Sequence, residues 1–166
     1  MSEPLTRFEV VETKKASKEV TSLWFVTVSS NQRLEALGED GVKHFKESMV
    51  ALWSKPYGLL KCAHGEQGVG RLGLPPRDKI LEIESRISWE VGKEKQFLHM
   101  HGTVKVRHCS KILLDFARIN NVLRDFSGPD RAWNFRADYV PAAAVQSRLN
   151  AYMTKSLPDE EVFVSR

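Results

Sequence analysis

The stretch KILEIESRISWEV at 79–91, the turn GKEKQ at 92–96 and the return FLHMHGTVKV at 97–106 decide the fold. Much of the first run alternates apolar and polar residues, the period of a strand with one buried face. The return is rich in strand-forming residues, and the five between are polar and suit a turn. The two runs therefore form a hairpin. His99 and His101 are two apart on the return, so both face one side while Met100 enters the other. With the turn centred near Glu94 and Lys95, Glu90 lies opposite His99 and shares that side. A slip of one residue would turn it away.

Two neutral imidazoles and one carboxylate make a donor set for a divalent cation and leave positions open for a substrate. The metal-ligand candidates are therefore Glu90, His99 and His101. Glu94 sits too near the turn, and Glu82 and Glu84 are alternatives further along. Against this stands the ordinary reading of Glu90 as a solvated strand acid that pairs with a lysine.

Outward from the hairpin, SLWFVTVS at 22–29 reads as a central strand that ends at Ser29-Ser30-Asn31-Gln32. EDGVKHFKESMVALW at 39–53 reads as a helix, with Val42, Phe45, Met49, Leu52 and Trp53 at helical spacing and Pro56 and Gly58 closing it. HGEQGVGRLGLPPR at 64–77 reads as a loop. SKILLDFARINNVLRD at 110–125 reads as an amphipathic helix capped by Ser110, with Ile112, Leu113, Phe116, Ile119, Val122 and Leu123 inward. After a turn at 127–130, Trp133 to Val140 reads as a strand and 142–156 as a helix behind Pro141. The tail DEEVFVSR reads as a short strand or an arm. The class expected is α+β: a central antiparallel sheet with flanking helices, from an arm at 1–20 and one domain at 21–166.

Composition narrows the partners. Twenty-five basic residues against 21 acidic ones leave a net charge of +4, which permits a nucleic-acid partner without requiring one. Basic residues gather at Lys14, Lys15 and Lys18, at Arg71, Arg77 and Lys79, and at Lys105, Arg107 and Lys111. Cys62 and Cys109 form neither a CxxC pair nor a disulfide framework, so a zinc finger and a secreted scaffold are not expected. No signal sequence or membrane-length apolar run is visible, which points to an intracellular protein with no membrane partner.

A second chemical feature is Tyr152 with Lys155 in LNAYMTKSL, three apart on one face of the expected last helix. A phenol with its usual pKa of ~10 needs a nearby cation to act as a nucleophile near neutral pH.

The histidine strand followed by a helix with Tyr-x-x-Lys resembles the HUH endonuclease superfamily. More narrowly, the chain is similar to the replication initiators (Rep proteins) of small circular DNA viruses, parvovirus-like elements and mobile elements. The order is the family's: FVTVSSNQR at 25–33, HMHG at 99–102 and AYMTK at 151–155. The resemblance runs from Trp24 to Leu157 and implies a ferredoxin- or RRM-like nuclease fold. By that resemblance Glu90, His99 and His101 hold Mn²⁺ or Mg²⁺. Tyr152 is the nucleophile, and Lys155 steadies the phosphate. Asn31, Gln32 and Arg33, with Lys105 and Arg107, contact single-stranded DNA at an origin stem-loop. The reaction implied is site-specific nicking and joining through a 5′-phosphotyrosine link, in a host nucleus if the source is a eukaryotic virus.

Three departures are visible. The first motif has Ser29-Ser30-Asn31 where circovirus-like initiators are Asn-rich. No GxxxxGK[ST] loop is present, so a helicase domain or partner would lie elsewhere. The segment between the first motif and the histidines is longer than in the smallest viral initiators. Lys155, where related transposases commonly carry Gln, favours the initiator branch. The alternative reading is a non-catalytic nucleic-acid-binding α+β module, although the RRM aromatic signature is absent.

Overall fold

The structure, a computed structural model, describes residues 19–63, 72–109, 111–128, 133–140 and 160–165. The expected hairpin is its centre. Strand β4 (Ile80–Val91) turns through 92–96 into β5 (Phe97–His108). Gln96 takes a positive φ of 56° to close the turn, and the Gly92 amide donates to the Phe97 carbonyl at 3.1 Å. β1 (Val20–Arg33) pairs with the other side of β5, β7 (Asn134–Tyr139) with β1, and β8 (Glu160–Ser165) with β4. The five-stranded sheet runs β7-β1-β5-β4-β8, and every neighbouring pair is antiparallel. The tail is thus a sheet strand. Short strands β2 (Leu60–Ala63), β3 (Leu72–Gly73) and β6 (Ile112–Leu114) form a second sheet in the order β3-β2-β6.

The two faces of the large sheet differ because period-two patterning sorts them. Trp24, Val26 and Val28 of β1, Ile83, Ile87 and Trp89 of β4, and Leu98, Met100, Val104 and Val106 of β5 are all buried in one core. Helix α1 (Leu34–Trp53) lays Phe45, Met49, Leu52 and Trp53 on that face. Helix α2 (Phe116–Ser127) adds Ile119 and Leu123. Each such side chain contributes about 1.5–3 kcal/mol when fully buried. Gly102 lies in this packing. A Cβ there would stand 2.9 Å from the Arg86 carbonyl oxygen and 3.1 Å from Met100 Sδ and Val26 Cγ2, so only hydrogen fits.

The starts of both helices differ from expectation. α1 begins at Leu34, but Gly38 breaks it with φ 67°, so the regular helix starts where the sequence places it. No helix starts at 111–115. Ile112 and Leu114 are buried while Leu113 is exposed, the alternation of a strand, and Cys62, Lys61 and Leu60 pair with them. The helix starts after Asp115, whose carboxylate accepts from the Arg118 amide at 3.0 Å. A three-residue apolar run fits both periods, and the capping aspartate separates the two elements. Phe116 is consequently exposed rather than inward.

Ser110, most of the loop at 64–77, most of the arm at 1–20 and the helix expected at 142–156 lie outside the described residues. Among those described, no helix is long and apolar enough to cross a membrane.

Candidate metal centre

The hairpin register sets Glu90 opposite His99 and Ser88 opposite His101. The core-facing alternation of β4 and β5 holds that register, since a slip would expose Trp89 and Met100 together. His99, His101 and Glu90 therefore project from the face away from the helices. Their ligand atoms lie within 4.8 Å of one another. His101 Nε2 stands 2.7 Å and His99 Nε2 3.4 Å from the same oxygen, Glu90 Oε2. The imidazole planes are 85° apart, with centroids separated by 4.5 Å.

The remaining ring nitrogens are held. His99 Nδ1 donates to the Phe97 carbonyl at 3.1 Å, and because a carbonyl only accepts, the proton sits on Nδ1. A neutral His99 therefore turns a lone pair from Nε2 toward Glu90. His101 Nδ1 lies 3.2 Å from Thr27 Oγ1, and the Phe25 ring stacks on His101 at 5.5 Å. The side chains of His99, His101 and Glu90 are 17, 13 and 28% exposed, so the cluster sits in a partly desolvated cleft. Burial and then the charge of His99 push the His101 pKa below its ordinary 6.5, against an opposing pull from Glu90.

Glu90 Oε2 is buried, and no hydrogen bond of acceptable geometry reaches it among the described residues, although an imidazole nitrogen is 2.7 Å away. His101 Nε2, His99 Nε2 and this oxygen thus converge on a small volume. Two imidazole nitrogens and a carboxylate oxygen at this spacing suit a divalent cation. The chemistry of the donor set thus fits the metal that the sequence suggests.

The other candidates are distributed around this centre. Asn31 and Gln32 occupy an irregular stretch of β1 between Ser29, which pairs with His99, and Arg33, which pairs with Phe97. Asn31 has a positive φ of 58°, its amide bonds Ser29 Oγ at 3.1 Å, and Arg33 is exposed. These residues therefore border the centre. Lys105 and Arg107 share its face but lie further along β5. Lys105 is exposed, while Arg107 is engaged with Glu19 at 2.9 Å, a contact that raises its pKa further. Glu84 binds Arg86 at 3.1 Å and Glu82 lies 4.0 Å from Arg107, so neither joins the histidines. Glu94 is exposed in the turn. Tyr152 and Lys155 lie outside the described residues.

Thr27 and Phe25 were not singled out in the sequence. Both alternate with core residues on β1, but only the long-range pairing of β1 with β5 sets Thr27 opposite His101. Ser88 was missed as well. It is 1% exposed, and its hydroxyl has no partner among the described residues.

No protein-family model, curated protein or solved structure matches this chain.

Proposed function

We propose that this protein nicks and rejoins single-stranded DNA through a covalent tyrosine intermediate, as the resemblance to HUH replication initiators implies. The observation that carries the proposal is the convergence of His99 Nε2 and His101 Nε2 on the buried Glu90 Oε2. Glu90, His99 and His101 would hold one Mn²⁺ or Mg²⁺, with imidazole favouring Mn²⁺. The ion would supply Lewis-acid polarisation of a phosphoryl oxygen.

In this reading the Tyr152 phenolate attacks the phosphorus in line. An oxygen–phosphorus bond forms to tyrosine, the bond from phosphorus to the 3′ oxygen breaks, and that oxygen leaves as a 3′-hydroxyl after taking up a proton. The ester keeps the bond energy, so the reverse attack by a 3′-hydroxyl rejoins the strand. Lys155 would hold negative charge on the phenolate or the phosphate. Asn31, Gln32 and Arg33 would engage the strand beside the centre, and Phe25 offers a ring for a base.

Glu160, where β8 begins, pairs with Ser88, and Ser88 pairs with His101 on the other side of β4.

The test is incubation with a pool of single-stranded and hairpin-flanked oligonucleotides plus Mn²⁺, read on denaturing gels. An adduct that survives denaturant and vanishes with Tyr152→Phe or with chelator is the expected result. Metal-dependent cleavage without an adduct would remove Tyr152 from its role. DNA binding that persists in His99→Ala, with no cleavage at all, would leave a non-catalytic nucleic-acid-binding module.

A further inference from the structure

Two serine hydroxyls on β4, those of Ser85 and Ser88, are buried and have no hydrogen-bond partner among the described residues. Ser85 is 0% exposed and Ser88 1%. Such groups are rare in folded proteins, because a hydroxyl taken out of water without a replacement bond costs free energy. Three residues apart on one strand, the two project from opposite faces, so their surroundings differ. Ser85 is on the core side. It pairs with Val104 and lies two residues from both Ile83 and Ile87, and all three belong to the hydrophobic core. Those neighbours are hydrocarbon and offer no bond.

Ser88 is on the side of the metal centre. It stands two residues before Glu90, on the same face, and directly opposite His101. Cross-strand partners hold their Cβ atoms about 4.5–5.5 Å apart, so the hydroxyl opens into the cleft that Glu90, His99 and His101 share. Its depth follows from covalent structure. The serine oxygen is one bond beyond Cβ, whereas the Nε2 atoms of the histidines and Oε2 of Glu90 are each three bonds beyond theirs. The hydroxyl therefore sits beneath the point where those atoms converge, nearer the sheet.

We infer that Ser88 is a positioning residue of the metal centre, its hydroxyl hydrogen-bonded to a water of the cation's shell on the sheet side of Glu90, His99 and His101. The inference rests on the cation reading proposed above and not on the nicking reaction. Octahedral cations such as Mn²⁺ and Mg²⁺ take more ligands than three side chains supply, and Mg²⁺ usually keeps several waters. A buried water needs about three polar partners, and a hydroxyl can accept from it or donate to it. Groups that hold the shell of a metal in this way fix its orientation and raise its affinity. The orphan hydroxyl of Ser88 is thereby accounted for, while that of Ser85 remains a cost of the core.

The experiment titrates Mn²⁺ into the full chain by calorimetry and takes metal-free thermal midpoints alongside, for wild type, Ser88→Ala and Ser85→Ala. Each variant loses one buried hydroxyl that has no partner, so both metal-free midpoints should hold or rise. Only Ser88→Ala should weaken Mn²⁺ binding, by about tenfold. Stability and affinity thus move apart at Ser88 and not at Ser85. Mn²⁺ affinity equal to wild type in Ser88→Ala overturns the inference and leaves the metal centre standing. Weakening of the same size in both variants also overturns it, because the loss then comes through packing. A metal-free midpoint well below wild type in Ser88→Ala overturns it as well, since the hydroxyl would then be serving the fold. A wild-type chain that binds no Mn²⁺ overturns the metal centre and this inference together.

Discussion

The two faces of the β4–β5 hairpin use the same strands for opposite ends. On one face Ile83, Ile87, Trp89, Leu98, Met100, Val104 and Val106 are sealed under α1 and α2. On the other, the imidazole nitrogens of His99 and His101 converge on one oxygen of Glu90. The first face stabilises the protein. The second gathers three potential ligand atoms in a partly desolvated cleft, a donor set suited to a divalent cation. The lesson is that alternation along a strand lets a polar cluster inherit its register from a core one residue away.

The contrast can be broken or sharpened by substitution. The largest effect belongs to the ligands. Mn²⁺ should raise the thermal midpoint of the wild-type chain, and the shift should vanish in His99→Ala, His101→Ala and Glu90→Gln. A shift that survives in all three would end the metal assignment. Next comes the core face. Met100→Ala should cost about 2–5 kcal/mol in denaturant unfolding, with Mn²⁺ affinity retained in whatever fraction stays folded. Equal losses of stability from Met100→Ala and metal-free His101→Ala would erase the division between faces.

A smaller effect tests positioning. Thr27→Val keeps the shape of the residue but removes the hydroxyl beside His101 Nδ1. Metal affinity should fall about tenfold, as changes to partners of metal ligands do, while the metal-free midpoint stays put. An affinity equal to wild type would make Thr27 a bystander.

The smallest effect is the pH response of the metal-free protein. His101 has a folded pKa below its unfolded value of 6.5, so the unfolded chain binds more protons between the two. The corresponding stability is complete above pH 6.5 and declines as pH falls from there toward the folded pKa. Denaturant titrations across that window should show a shallower slope in His101→Gln. An unchanged slope would place the response on another group.

What could be read from the sequence follows the range of the interactions. The hairpin was legible because its turn, alternation and facing residues all lie within 79–106. The same local logic set Glu90 opposite His99, as the structure has it. Thr27 was not legible, because its partner His101 is 74 residues away and no local pattern encodes the β1–β5 register. β2 and β6 were hidden for a related reason. A three- or four-residue strand carries too little period to be told from a helix or loop, and β6 was absorbed into the helix that follows it.

Gly102, the last residue of HMHG, has a further consequence. With 2.9 Å available to a Cβ before the Arg86 carbonyl, any other residue must wedge β4 away from β5. The gap between those strands is also the ruler that spaces Glu90 from the two imidazoles. An alanine at position 102, well inside the hydrophobic layer, would thus retune the reach of a carboxylate on the far side of the sheet. Gly102 thus sets the dimensions of the site from the core side of the sheet.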